Sequence, residues 1–175
     1  MSNDVIIKVF AVIDTNVIIS SMIGDKPSST KKLLNWVEEG NVILLYDQRI
    51  LDEYIEVLSR FFSESIVKEK LTGIIDNGYL VTDIEETREY FKDKDDIPFF
   101  EVKESAKELE PYLVTGNAKH FPEGTTRTAT FVVDIMEYLN RFIVKDKKKY
   151  LEEFQSFLNN LDKEKYIKNG GVINI

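Results

Sequence analysis

Residues 5–13, VIIKVFAVI, form an almost unbroken apolar run rich in Val and Ile, and the run stops abruptly at Asp14-Thr15-Asn16. A short run with no polar alternation predicts a strand buried on both faces, the kind that sits in the middle of a parallel sheet. Val42–Tyr46 (VILLY) predicts a second such strand, and Tyr79–Thr82, Tyr112–Thr115 (YLVT) and Thr128–Val133 predict three more. Helical patterns lie between them. Thr30–Glu39 carries Leu33, Leu34, Trp36 and Val37 on one face and stops at Gly40. Asp47 is placed to cap a helix running to about Phe62, and Ser65–Asn77 reads as another that stops at Gly78. Asp96–Leu109 reads as a helix with Pro98 in its first turn, and a further helix follows Thr128–Val133, capped by Asp134. Lys147–Leu161 has an apolar stripe of Tyr150, Leu151, Phe154, Phe157, Leu158 and Leu161, which suits core packing or a dimer contact. Alternating strands and helices predict an α/β fold in three layers: a central, mostly parallel five-stranded sheet flanked by helices.

Composition narrows the chemistry. The 175 residues include no cysteine and one histidine, His120, which excludes thiolate metal sites, a cysteine nucleophile and two-His metal motifs. A metal here has to be held by oxygen, which suits Mg2+ or Mn2+. The net charge is −8, so the surface as a whole is a poor binder of nucleic acid. The acid is concentrated: residues 83–110 hold 11 acidic and 5 basic residues, whereas residues 145–168 hold 5 acidic and 7 basic. The first stretch reads either as a solvated helix face with a loop or as a cation site, since bound metal can invert the local charge. No apolar run reaches membrane-spanning length and the first residues lack the pattern of a signal peptide, so a cytoplasmic protein is expected.

In parallel sheets, sites gather beyond the carboxyl ends of the strands. Asp14 stands there, directly after the first strand. It reads either as a helix cap or Asx turn, or as a metal ligand oriented by the short polar groups of Thr15 and Asn16. Glu53 is the second candidate. Advancing about 100° per residue, it falls at the border of the buried stripe that contains Ile50, Tyr54, Val57, Leu58 and Phe61, while Asp52 and Glu56 fall on the wet side. A boundary Glu reaching water or a Lys is the alternative. The third candidate is Asp93-Lys94-Asp95-Asp96 before Ile97-Pro98. One Asp is explained as a helix cap, but three exceed what capping requires. Thr115-Gly116-Asn117 is a polar turn after another buried strand. Two carboxylates about 5 Å apart repel by about 3 kcal/mol at an effective dielectric of about 20, so such a cluster either takes up protons or holds a divalent cation.

The order VIDTNVIIS, RILDEYIEVLSR, DKDDIPFF and YLVTGNAKHFP resembles the PIN-domain family, in particular its branch of toxin components of toxin–antitoxin pairs. The resemblance runs from about Val5 to Tyr138. It implies a nuclease domain over residues 1–142, with residues 143–175 as a C-terminal helical extension and tail. It further implies a metal-dependent ribonuclease in which Asp14, Glu53 and Asp96 act with Mg2+ or Mn2+, with Asp95 or Asp93 as alternatives to Asp96. Asn117 stands where many members carry a fourth acid, and as an amide it weakens the case for a second metal. Thr15, Asn16, Thr115, Lys119 and His120 would support the site or meet substrate, although Lys119 also reads as an ordinary surface residue and His120 as a structural member of the NxxHF turn. The implied partners are RNA, a cognate antitoxin and a possible second copy of the chain. Rim contacts to phosphate would come from Lys119, Arg127 and Lys147–Lys149. The alternatives are a catalytically weak PIN-like scaffold and a metal-dependent phosphatase, the latter disfavoured because residue 16 is Asn and not a second Asp. Asn169-Gly170-Gly171 is too short for a phosphate loop and reads as a flexible tail.

Overall fold

The computed structural model describes residues 6–175. The first strand, β1 (Val9–Ile13), is followed at once by α1 (Thr15–Met22), then α2 (Ser29–Glu39) and β2 (Val42–Tyr46). Next come α3 (Gln48–Leu58), α4 (Glu64–Ile75), β3 (Tyr79–Val81) and α5 (Ile97–Ser105). The chain ends with β4 (Tyr112–Val114), β5 (Thr126–Arg127), α6 (Ala129–Tyr138), α7 (Lys147–Asn159) and β6 (Tyr166–Lys168). Val5, the first residue of the apolar run, lies outside the described residues.

The strands lie in the order β5-β4-β1-β2-β3-β6. All pairings are parallel except β3 with β6. Helices cover both faces, which is why every residue of β2 and all but the first of β1 are buried. β1 is the switch point: the chain goes from it to β2 on one side and returns, after β3, to β4 on the other. A crevice therefore opens between the carboxyl ends of β1 and β4.

Local capping explains where the helices start. The side chain of Ser28 accepts from the Lys31 N–H at 3.2 Å and opens α2, and Asp47 accepts from the Ile50 N–H at 3.0 Å and opens α3. α2 stops at Gly40, whose φ of 81° is left-handed backbone. α3 ends at Leu58, short of Phe62, and Phe61 is left exposed outside the stripe.

Two elements differ from the sequence reading. Thr128–Val133 is not a strand. Only Thr126–Arg127 pairs with β4, and the Thr128 hydroxyl accepts from the Phe131 N–H at 3.1 Å, capping α6 in place of Asp134. β-Branched and aromatic residues favoured a strand there, but Ala129, Val132, Val133 and Met136 fall on one helical face that packs on α2, and burial overrode propensity.

The second difference is the C-terminal tail. Tyr166–Lys168 adds a sixth, antiparallel strand to the expected five. Residues 169–171 are docked, not free. The Asn169 N–H donates to the Gly78 carbonyl at 2.9 Å, and the Gly171 N–H donates to the Tyr46 hydroxyl at 3.3 Å. A Cβ on Gly171 would meet Leu51 at 2.6 Å and Tyr46 at 2.7 Å, so the close approach requires glycine. α7 lays Phe154 and Phe157 against Phe10 at centroid distances of 6.1 and 6.4 Å, so part of its stripe covers β1. Among the described residues no helix is long and apolar enough to cross a membrane.

Candidate active site

Asp14 follows β1 and occupies the N-cap position of α1, yet its side chain makes no capping hydrogen bond. Its Oδ2 instead accepts from the Thr115 hydroxyl at 2.7 Å and from Asn16 Nδ2 at 3.3 Å. Thr115 comes from the turn after β4, so the crevice at the switch point is closed by a bond from one strand end to the other. The backbone repeats the link, with the Asp14 N–H donating to the Val114 carbonyl at 2.9 Å. Asp14 is 7% exposed, and burial pushes its carboxyl above the usual range against the opposing pull of the Thr115 hydroxyl.

Glu53 reaches the same crevice from α3. It is half-buried, whereas Asp52 and Glu56 are exposed. Thr15 donates its hydroxyl hydrogen bond to Glu53 Oε2. Burial raises the Glu53 carboxyl first, and the charges of Asp14 and Asp95 raise it further, with Thr15 opposing.

The Asp93–Asp96 turn divides its labour. Asp93 does the capping, accepting from the Asp95 N–H at 2.9 Å and opening a single 3-10 turn over Lys94–Asp96. Asp95 is exposed. Asp96 leads into α5 without capping it. At 8% exposure, its Oδ2 has no hydrogen-bond partner among the described residues. His120 Nδ1 lies 3.3 Å from that oxygen, close enough for charge attraction but outside hydrogen-bond geometry. Burial, then repulsion from Asp14 and Asp93, pushes the Asp96 carboxyl up to about 6.

The turn after β4 carries the remaining candidates. The Asn117 N–H donates to Thr115 Oγ1 at 3.0 Å, and the Gly116 N–H donates to Asn16 Oδ1 at 3.4 Å. The side chains of Asn117, Lys119 and His120 are all on the exposed rim.

A sequence model of the PIN-domain family matches residues 11–119. The chain belongs to the PIN-domain family. No curated protein and no solved structure matches it. PIN domains are generally nucleases that use divalent metal ions and act on RNA.

The residues of this PIN domain suit such an ion. The donor set is all oxygen, as hard divalent cations prefer. Asp96 holds a buried carboxylate oxygen without a partner among the described residues, burial disfavours the charged forms of Asp14, Glu53 and Asp96, and the charge of Asp14 raises both Glu53 and Asp96. A bound cation would relieve these penalties together. Among the described residues no group of three or more Asp, Glu or His side chains is already placed to hold a metal ion.

Three features of this PIN domain escaped the sequence reading. Tyr54, taken only as part of the α3 stripe, is fully buried and donates its hydroxyl to the Ile13 carbonyl, tying α3 to the end of β1 one residue before Asp14. Arg49 bridges Asp47 and Glu101 at 2.7 Å each. The other Glu101 oxygen accepts from the Thr87 N–H at 2.7 Å, so a buried carboxylate on α5 anchors the loop before the Asp93 turn. A glutamate inside the apolar FFEV stretch was the available signal. The third is Tyr90, exposed next to the buried Phe91.

Proposed function

We propose that this PIN domain is a Mg2+- or Mn2+-dependent endoribonuclease and the toxin of a toxin–antitoxin pair. The unpartnered, buried Oδ2 of Asp96 carries the reading: Asp14 lies within electrostatic reach of both Asp96 and Glu53, and a polyanion could dock among these acids only with a cation present. Asp14, Asp96 and Glu53 would hold the ion, with Asp95 and Asn117 in reach of its outer contacts. When bound, the ion supplies positive charge to a phosphodiester and its attacking water.

The chain's own residues do the positioning. Thr115 and Asn16 orient Asp14, and Thr15 orients Glu53. Buried β1 and β4 keep bulk water from one side of the crevice. His120, beside Asp96, would face a substrate phosphate. Lys119 and Arg127 would add phosphate contacts.

The toxin role, a cognate antitoxin, a homodimer and a cytoplasmic location rest on the sequence resemblance. A scaffold without activity is the second reading, favoured by the exposed amide of Asn117 where many members have an acid.

RNA cleavage with Mn2+ and with EDTA, by the wild type and Asp14→Asn, tests the proposal. Cleavage should require metal and fall roughly a hundredfold or more in the variant. The variant should melt at the same temperature or higher without metal, since a repelled buried charge is gone. Metal-independent cleavage, or none at all by the wild type, would overturn the reading.

A further inference from the structure

A cleft of about 600 Å³ adjoins the carboxylates, and apart from Lys119, His120 and Asp93 its lining plays no part in the site described above. It is lined by Tyr90, Lys92, Lys94, Lys119 and His120, with Glu89 and Asp93. His120 is shared with the Asp96 contact and Asp93 with the capped turn, so the cleft runs directly into the acidic crevice.

The two neighbouring aromatics in the loop before Asp93 point to opposite sides. Phe91 is 7% exposed and is wedged between Phe100 and Phe121, at centroid distances of 5.4 and 6.0 Å. It fixes the loop to α5 and to the turn after β4. Tyr90 is 86% exposed. Its ring contributes nothing to the core, and the anchored Phe91 beside it means the ring is held out on a fixed support. The same lining carries three lysines against two acids on a chain whose net charge is −8, so the cleft is locally richer in cations than the protein as a whole. A flat ring in water with lysines in the same cleft is the combination that takes an unpaired base on the ring and the flanking phosphates on the lysines.

We propose that this cleft is the docking site for single-stranded RNA, with one base stacked on Tyr90 and the adjacent backbone held by Lys92, Lys94 and Lys119. The assignment rests on the ribonuclease reading and adds to it the surface on which the strand docks. A duplex hides the faces of its bases, so only an unpaired segment can use the ring. The strand would pass from the cleft across His120 towards Asp96.

The test is binding of a short fluorescent 2′-O-methyl RNA, which resists cleavage, to the full chain in Ca2+ across a salt series. Tyr90 is free of packing, so its variants should keep the wild-type melting temperature. Tyr90→Ala should weaken binding about tenfold, and Tyr90→Phe, which keeps the stacking face, should stay within about twofold of the wild type. An abasic oligonucleotide should lose affinity for the wild type but lose little more for Tyr90→Ala. Lys92→Ala and Lys94→Ala should each flatten the log–log salt slope by about 0.7.

Wild-type binding by Tyr90→Ala, equal binding of the abasic strand by the wild type, or equal binding of the same sequence as a duplex would overturn the docking site. If that Tyr90→Ala protein still cuts RNA with Mn2+, the nuclease reading stands without the docking site. A wild type that binds through Tyr90 and cuts nothing with Mn2+ keeps the docking site and removes the nuclease.

Discussion

Thr15 donates its hydroxyl to Glu53, so the residue that follows the first-strand acid also holds the helix acid. Thr15 thereby ties the start of α1, next to Asp14, to Glu53 on α3 at the crevice. Thr15 is buried, so Thr15→Val keeps the shape and removes only the donor. The variant should bind Mn2+ about 10- to 100-fold more weakly, as when other groups that orient metal ligands are lost. Calorimetric titration would show this, and an unchanged affinity would mean that Glu53 needs no orienting partner.

Glu53 should matter while its helix neighbours do not. Glu53→Gln should weaken Mn2+ binding about tenfold or more, and Asp52→Asn and Glu56→Gln should change it less than about twofold. The reason is placement: Glu53 borders the buried face of α3, and the other two are in water. Titrations giving equal losses in all three would indicate a diffuse acidic surface.

Metal-free stability should fall as pH rises from about 4 to about 7. The Asp96 carboxyl is raised to about 6 from an ordinary value of 3.8, so the folded state holds its proton more tightly than the unfolded chain does. That contribution is full below the unfolded value and is lost as pH climbs through the folded one. Asp14 and Glu53 are raised as well and act in the same direction. Melting in EDTA should therefore give a lower temperature at pH 7 than at pH 5. Asp96→Asn should flatten the difference, and Mn2+ should protect more at pH 7, where the acids are ionised. A metal-free protein whose melting temperature rises from pH 5 to pH 7 would contradict this account of the acids.

Gly171→Ala should cost about 1–3 kcal/mol of stability, because the added methyl overlaps Leu51 and Tyr46. Gly124→Ala gives a comparison: Gly124, unlike Gly171, sits at a positive φ of 78°, and a methyl there meets nothing within 4 Å. Chemical denaturation of both variants separates backbone strain from overlap. Equal losses would mean that the tail does not press on α3 and β2.

The order of elements was readable because burial on both faces leaves an unmistakable mark: β1 and β2 are runs of Val, Ile and Leu that stop at polar turns. The position of Asp14 at a strand end and of Glu53 at the border of the α3 stripe followed from the same periodicities. Where two periodicities overlapped, burial decided. TATFVV suits a strand by propensity, yet its spacing also gives α6 a buried face, and packing on α2 selected the helix. The tail was unreadable for a related reason. A three-residue edge strand and a glycine pressed on a tyrosine have no local signature, since their partners, β3 and Tyr46, lie far away in sequence.

By itself the sequence determined an α/β sheet, that any bound metal would have to be held by oxygen, and the acids to consider, because strand burial and residue inventory are local properties. Only the tertiary structure decided which acid was spare. Asp93, Asp95 and Asp96 are equivalent as letters. Folding gives the cap to Asp93, leaves Asp95 in water, and buries Asp96 with one oxygen unpartnered beside His120. The same step turned Phe91 inward and Tyr90 outward. Both outcomes depend on which groups arrive from distant strands and turns, and solvation and charge at a site are sums over those neighbours.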